Sequence, residues 1–164
     1  LVEGDEKTRD LARFSPDESP RSVQLYGTDP GSLGEAVAYL VEVERVDHVD
    51  MNFGCPMGKV TRHGGGAALP WKRDLYRSIV RAAVSNAGSV PVTVKFRKGI
   101  DEEHLTYLES GLIAEDEGVA TVALHARTAR RGSPRPPACP RWGCTREPAH
   151  PQLGGDRRGP RSWW

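Results

Sequence analysis

The amino-acid sequence predicts an α/β fold built on a parallel sheet. From Ser22 to Thr128, short β-branched runs alternate with longer stretches whose apolar residues recur at helical spacing. That alternation is the signature of successive βαβ units. The second observation is a convergence: Gln24, Asn52, Cys55, Lys95 and His125 all fall at or just past the ends of the predicted strands. Right-handed crossovers place the C-terminal ends of parallel strands on one rim. That rim is where α/β proteins build their sites.

Ser22-Val23-Gln24-Leu25-Tyr26-Gly27 reads as the first strand, closed by glycine. Asp29-Pro30 reads as an N-cap followed by proline in the first turn. Leu33, Ala36, Val37, Leu40 and Val41 then recur with helical period. Val46 to Met51 is the second strand, and it runs into Asn52-Phe53-Gly54-Cys55-Pro56. Gly54 lacks a side chain where a flat ligand could approach the backbone. Pro56 stiffens the turn after Cys55 and holds the thiol in a defined place. A glycine-rich loop, Gly64-Gly65-Gly66, leads to a helix marked by Leu75, Ile79, Ala82 and Ala83. No P-loop lysine and serine follow those glycines, which argues against a nucleoside triphosphate site. Pro91 to Phe96 is the third strand; Leu105, Leu108, Leu112 and Ile113 lie on a further helix; Ala120 to His125 is the fourth strand. Ahead of these, residues 6–13 read as a helix, with a polar loop through Pro20.

The 164 residues suffice for one domain with a core. The longest apolar runs, such as Val90 to Val94, fall far short of a membrane span. Three cysteines (Cys55, Cys139 and Cys144) form no even disulfide framework, and point to a reducing, cytoplasmic setting. The net charge of +1 conceals an asymmetry: residues 1–128 carry −5, whereas residues 129–164 carry 8 Arg against 2 acids. That second segment also holds 7 Pro and 5 Gly, with Leu153 its one branched aliphatic residue. It cannot bury enough apolar surface to offset its ordering entropy. Residues 129–164 are therefore expected to be disordered, or to derive from a non-native reading frame of GC-rich DNA. Cys139, Cys144 and His150 are too loosely spaced, and one ligand short, for a zinc site, so no metal is expected. The tail arginines could contact RNA phosphates.

Four motifs, in order, resemble the tRNA-dihydrouridine synthase family over residues 1–128. They are Gln24-Leu25-Tyr26-Gly27 with Asp29-Pro30, then Asp50 to Pro56 continued by Lys59-Val60 and Gly64 to Leu69. Val92 to Lys95 with Arg97 and Gly99 follows, and then Leu124-His125-Ala126-Arg127-Thr128. The resemblance implies a partial TIM (β/α)8 barrel, roughly strands 3 to 6 of eight. Whole barrels of this kind take about 250 residues. It further implies FMN as cofactor, NADPH as reductant and tRNA as substrate, with hydride delivered to C6 of a uridine. Cys55 would donate the proton to C5. Gln24, Lys95 and His125 would contact the flavin, and Asn52 and Arg127 the target base. Thiols titrate at about 8.5 and so hold a proton at neutral pH, which suits a proton donor. The target nucleotide would have to leave its stack.

Each residue also has a plainer reading. Cys55 could be a buried structural thiol, Asn52 a turn cap, Lys95 or Arg127 a solvated cation, and His125 a satisfied core histidine. Another flavin barrel reducing free pyrimidines, such as a dihydropyrimidine or dihydroorotate dehydrogenase, is the rival enzyme. Lys59-Val60, the glycine run and His125-Ala126-Arg127-Thr128 argue against it. An inactive truncation product is the non-enzymatic alternative. A partial barrel leaves sheet edges and interior exposed, so the chain alone is expected to bind FMN weakly and to catalyse nothing.

Overall fold

The computed structural model describes residues 12–130. The helix expected over 6–13 lies almost wholly outside the described residues, as do Cys139, Cys144, His150 and nearly all of the 129–164 segment. The elements are β1 (Ser22–Leu25), α1 (Pro30–Glu42), β2 (His48–Phe53), α2 (Gly58–Thr61), a 3-10 helix (Gly66–Trp71), α3 (Arg73–Ala87), β3 (Val92–Gly99), α4 (Tyr107–Asp116) and β4 (Thr121–Thr128).

Local chemistry accounts for the start of α1. Asp29 is extended, with φ −111° and ψ 117°, and Pro30 follows it in the first turn. Its Oδ2 accepts from the Ser32 backbone N–H at 2.6 Å, which satisfies one orphan donor of the first turn. That hydrogen bond holds the Asp29 carboxyl below the usual carboxylate range.

The four strands are all parallel and lie in the order β1-β2-β3-β4. A doubly wound sheet reverses its order part-way. Here every crossover steps the same way, which is how the wall of a (β/α) barrel is built. With right-handed crossovers the helices all cover one face. On that face Val49, Met51 and Phe53 of β2 and Val92, Val94 and Phe96 of β3 are buried. They belong to one core with Leu33, Val37 and Leu40 of α1, Tyr76, Ile79, Val80 and Ala83 of α3, and Ile113 and Ala114 of α4. Phe53 and Tyr76 meet edge to face, with centroids 5.0 Å apart. The Tyr76 hydroxyl donates to the Ser110 carbonyl at 3.3 Å, and burial raises its pKa above the ordinary tyrosine value. At the outer rim Glu117 accepts from Arg77 at 2.8 Å and from Arg81 at 2.9 Å. These bonds hold the Glu117 carboxyl below its usual range, Arg81 contributing most.

Two expectations shift in detail. Strands β3 and β4 run three residues beyond their predicted ends, to Gly99 and Thr128, so Lys95 and His125 lie within their strands and not at the ends as expected, and β2 is displaced two residues toward the C-terminus. The ladder carries on through charged residues that an apolar criterion does not count, because one face of the sheet is open. Leu105 precedes α4 and forms a bridge with Gly99. Leu108 and Leu112 are 67% and 61% exposed. The buried stripe of α4 is Ser110, Ile113 and Ala114 instead.

Candidate active site

Successive residues of a strand point to opposite faces, so the face away from the helices is set by parity. It carries Ser22 and Gln24 of β1, His48, Asp50 and Asn52 of β2, Thr93, Lys95 and Arg97 of β3, and His125 of β4. Register aligns them across the sheet: Gln24 with Asp50, Asp50 with Thr93, Asn52 with Lys95, and Arg97 with His125. All of these residues are polar, and Ser22, His48, Thr93, Asp50, Gln24 and Asn52 are bonded to one another. Ser22 Oγ lies 2.7 Å from His48 Nδ1, and His48 Nε2 lies 2.8 Å from Thr93 Oγ1. The Thr93 hydroxyl donates to Asp50 Oδ1 at 2.7 Å. Gln24 Nε2 donates to Asp50 Oδ2 at 2.6 Å, and Asn52 Nδ2 donates to Gln24 Oε1 at 2.9 Å. Asn52 Oδ1 in turn accepts from the Gly54 backbone N–H at 2.9 Å.

This ladder climbs from the N-terminal to the C-terminal ends of the strands and finishes at the turn that carries Cys55. Arg97 holds the same turn from the other side: its Nε donates to the Gly54 carbonyl at 2.7 Å. Its Nη1 reaches the Thr128 carbonyl at 3.3 Å. The Cys55 carbonyl accepts from the Ala67 N–H at 3.0 Å. Gly66 makes that approach possible: its φ is +55°, and a Cβ there would stand 2.5 Å from the Cys55 carbonyl oxygen. The glycine run is thus a seat for the cysteine turn. Cys55 is half-buried, and its thiol is free.

The structure therefore brings the sequence-derived candidates together. Gln24 and Asn52 touch directly, Lys95 stands beside Asn52 in register, and Cys55 is tied to Asn52 and Arg97 through Gly54. His125 has its pKa lowered from the ordinary histidine value, first by desolvation and then by the charges of Arg97, Arg127 and Lys95. Arg127 is exposed and sits where β4 departs from regular register with β3, between the Arg97 and Gly99 pairings. Such bulges re-aim side chains beside sites. The positive charge of Arg97, Arg127 and Lys95 that His125 feels makes this end of the face attractive to an anion.

A Cβ built on Gly54 would lie 3.6 Å from Asn52 Oδ1 and 3.9 Å from Arg97 Cγ and the Lys95 carbonyl oxygen. Those are ordinary van der Waals contacts, so Gly54 leaves open the space beside the Asn52 amide and the Arg97 side chain. An amide and a cation there suit a flat polar group that carries both donors and acceptors. His48, Asp50 and Thr93 were not singled out as site residues from the sequence. Their signal was there: polar residues at every second position through strands that are otherwise apolar. Among the described residues no group of three or more His, Cys, Asp or Glu is placed to hold a metal ion. No described helix is long and apolar enough to cross a membrane.

Residues 1–141 match the family model of dihydrouridine synthase (Dus). The chain belongs to the dihydrouridine synthase family. A probable tRNA-dihydrouridine synthase of Mycobacterium leprae is 58% identical to it over 131 residues, 79% of this chain and 34% of that protein. A probable tRNA-dihydrouridine synthase of Mycobacterium tuberculosis is 55% identical over the same length, again 79% of this chain and 34% of the relative. The tRNA-dihydrouridine synthase B of Shewanella oneidensis is 39% identical over 123 residues, 75% of this chain and 38% of the relative. The chain thus spans about a third of the length of the curated relatives it matches.

Proposed function

We propose that this chain supplies the thiol-bearing rim of an FMN-dependent tRNA-dihydrouridine synthase, which reduces the 5,6 double bond of a uridine in tRNA. The observation that supports the reading most is the anchoring of the Cys55 turn to a polar sheet face bearing Gln24, Asn52, Lys95 and His125. The relatives carry the same activity in their names, and the substrate comes from them. When bound, FMN reduced by NADPH supplies a hydride to C6 of the uracil. The chain's residues do the rest. Gln24 and Lys95 hold the edge of the flavin, with the cation favouring its negative charge. His125, kept neutral among cations, offers a hydrogen bond there without adding a further charge. Asn52 and Arg127 orient the base. Cys55 gives its proton to C5 as the C6–H bond forms, and the thiolate recovers a proton from water. Hydride and proton together account for the two-electron reduction. Residues 129–164 contribute nothing to this chemistry in our reading, and the site uses no metal.

The test starts with FMN titrated into the purified chain, followed by flavin fluorescence and by absorbance near 450 nm, a band typical of flavins of about this kind. Dihydrouridine is then measured in unmodified tRNA, with free uracil as the control and NADPH as reductant. Weak but saturable FMN binding is the expected result for the chain alone, and any turnover seen with it should fall on tRNA and not on free uracil. Cys55→Ala should lower that turnover about 10²-fold or more, with FMN affinity unchanged. Reduction of free uracil would favour the dihydropyrimidine dehydrogenase-like alternative. A chain that binds no FMN would overturn the reading for this chain.

A further inference from the structure

We infer that Asp50 is a positioning residue: its carboxylate sets the direction of the whole hydrogen-bond ladder, and so the way the Gln24 and Asn52 amides face a ligand. The ligand part of this statement rests on the reading of the open face as the flavin and base site. A side-chain amide offers N–H groups on one side and C=O on the other, and its shape does not decide which is which. A carboxylate only accepts. Gln24 must therefore turn Nε2 toward Asp50 Oδ2, 2.6 Å away. That leaves Gln24 Oε1 to accept from Asn52 Nδ2 at 2.9 Å. Asn52 Oδ1 is then turned to the Gly54 N–H at 2.9 Å. The far end agrees with the near one, because a backbone N–H only donates.

The lower arm obeys the same rule. Thr93 spends its one proton on Asp50 Oδ1, at 2.7 Å. Its oxygen can then only accept, so His48 must carry a proton on Nε2, 2.8 Å away. In the neutral imidazole Nδ1 is left to accept from the Ser22 hydroxyl, 2.7 Å away. Every donor along both arms points toward Asp50. Each amide keeps a second N–H that the ladder does not use, and Asp50 determines where that group is presented.

The substitution Asp50→Asn leaves one acceptor and introduces one donor, so one arm must reverse. The upper arm resists reversal, since a flipped Asn52 would set its N–H2 against the Gly54 N–H. The lower arm can reverse at little cost. The introduced amide donates to Thr93, Thr93 donates to His48 Nε2, and the His48 proton moves to Nδ1, where it donates to Ser22.

The experiment is ¹H–¹⁵N NMR of the full chain, reading the His48 tautomer and the exchange rate of the Gly54 amide. The wild-type chain is expected to show Nε2–H. D50N should show Nδ1–H with Gly54 exchange little changed, or else retain Nε2–H with Gly54 exchange faster by about tenfold, the effect of losing one hydrogen bond. A D50N chain with neither change, or a wild-type Nδ1–H tautomer, overturns the inference. Should D50N fail to fold, Thr93→Val cuts the lower arm alone. It should abolish the Nε2–H preference and leave Gly54 exchange intact, and an unaltered tautomer would count against us. FMN affinity is the separate readout of the ligand part. D50A should weaken it about tenfold by freeing Gln24; where D50N shows the Nδ1–H tautomer it should restore affinity, because the introduced amide oxygen then still accepts from Gln24. Equal losses in both variants together with an Nδ1–H tautomer in D50N would refute the positioning role. A wild-type chain that ignores FMN would instead defeat the functional reading, with the tautomer result still decisive for the ladder.

Discussion

The two faces of one sheet are held by different physics. Along β2, Val49, Met51 and Phe53 enter the core under the helices, while the residues that alternate with them, His48, Asp50 and Asn52, line the open face. The helix-side face is stabilised by burial, which has no direction and yields about 1.5–3 kcal/mol for each large side chain removed from water. The open face is joined by hydrogen bonds, each with a net contribution of about 0.5–1.5 kcal/mol. Those bonds are directional, and together they fix the orientation of Gln24, Asn52 and the Gly54–Cys55 turn. Stability and aim are thus separated by one residue of strand parity.

The largest break of this contrast is Phe53→Ala. Phe53 is buried against Tyr76, so its truncation should cost about 3–5 kcal/mol. Urea unfolding should show a lower midpoint at unchanged slope. A loss below about 1 kcal/mol would mean that the helix-side face is not a packed core.

Gly66→Ala sharpens the contrast next, because it strikes the seat of the thiol rather than the core. Its φ is +55°, and the new Cβ would meet the Cys55 carbonyl oxygen at 2.5 Å. The strain should cost about 1–3 kcal/mol. The more telling effect is local: Cys55 should react faster with a thiol reagent well below the melting temperature. Unchanged reactivity would show that the glycine run does not seat the cysteine.

The smallest effect is electrostatic. His125 is depressed below the ordinary histidine value of 6.5. Protonation is therefore easier in the unfolded chain, and stability rises with pH across the window between the two values. Its contribution is complete above 6.5 and is lost as pH falls from there toward the depressed value. Lys95→Met removes one of the three opposing cations. It should move the His125 midpoint upward in an NMR titration while leaving the melting temperature at about pH 8 nearly unchanged. A midpoint that stays put or falls would remove Lys95 from the neighbourhood of the imidazole.

Much of the fold was readable from periodicity. The cap Asp29-Pro30, the helical spacing from Leu33 to Leu40 and the β-branched strands each encode a local preference that the structure keeps. The site was readable in part: Gln24, Asn52 and Cys55 stand at or just past the C-terminal ends of β1 and β2, whereas Lys95 and His125 lie inside β3 and β4, which run on to Gly99 and Thr128. What binds them together was not. His48, Asp50 and Thr93 lie far apart in sequence or inside apparently apolar runs, and their role depends on which residue faces which across the sheet.

Local sequence, through apolar spacing, capping and strand alternation, determined the element types, the parallel α/β class and the strand faces on which the candidate residues stand. Tertiary structure alone decided the register that aligns Asp50 between Gln24 and Thr93 and the extension of β3 and β4 through charged residues. It also decided the approach of Gly66 to Cys55 and the repulsion that Arg97, Arg127 and Lys95 exert on a protonated His125. The physical reason is that spacing and capping act within a few residues of chain, whereas hydrogen-bond polarity, close approach and charge depend on distances that exist only once the strands are paired.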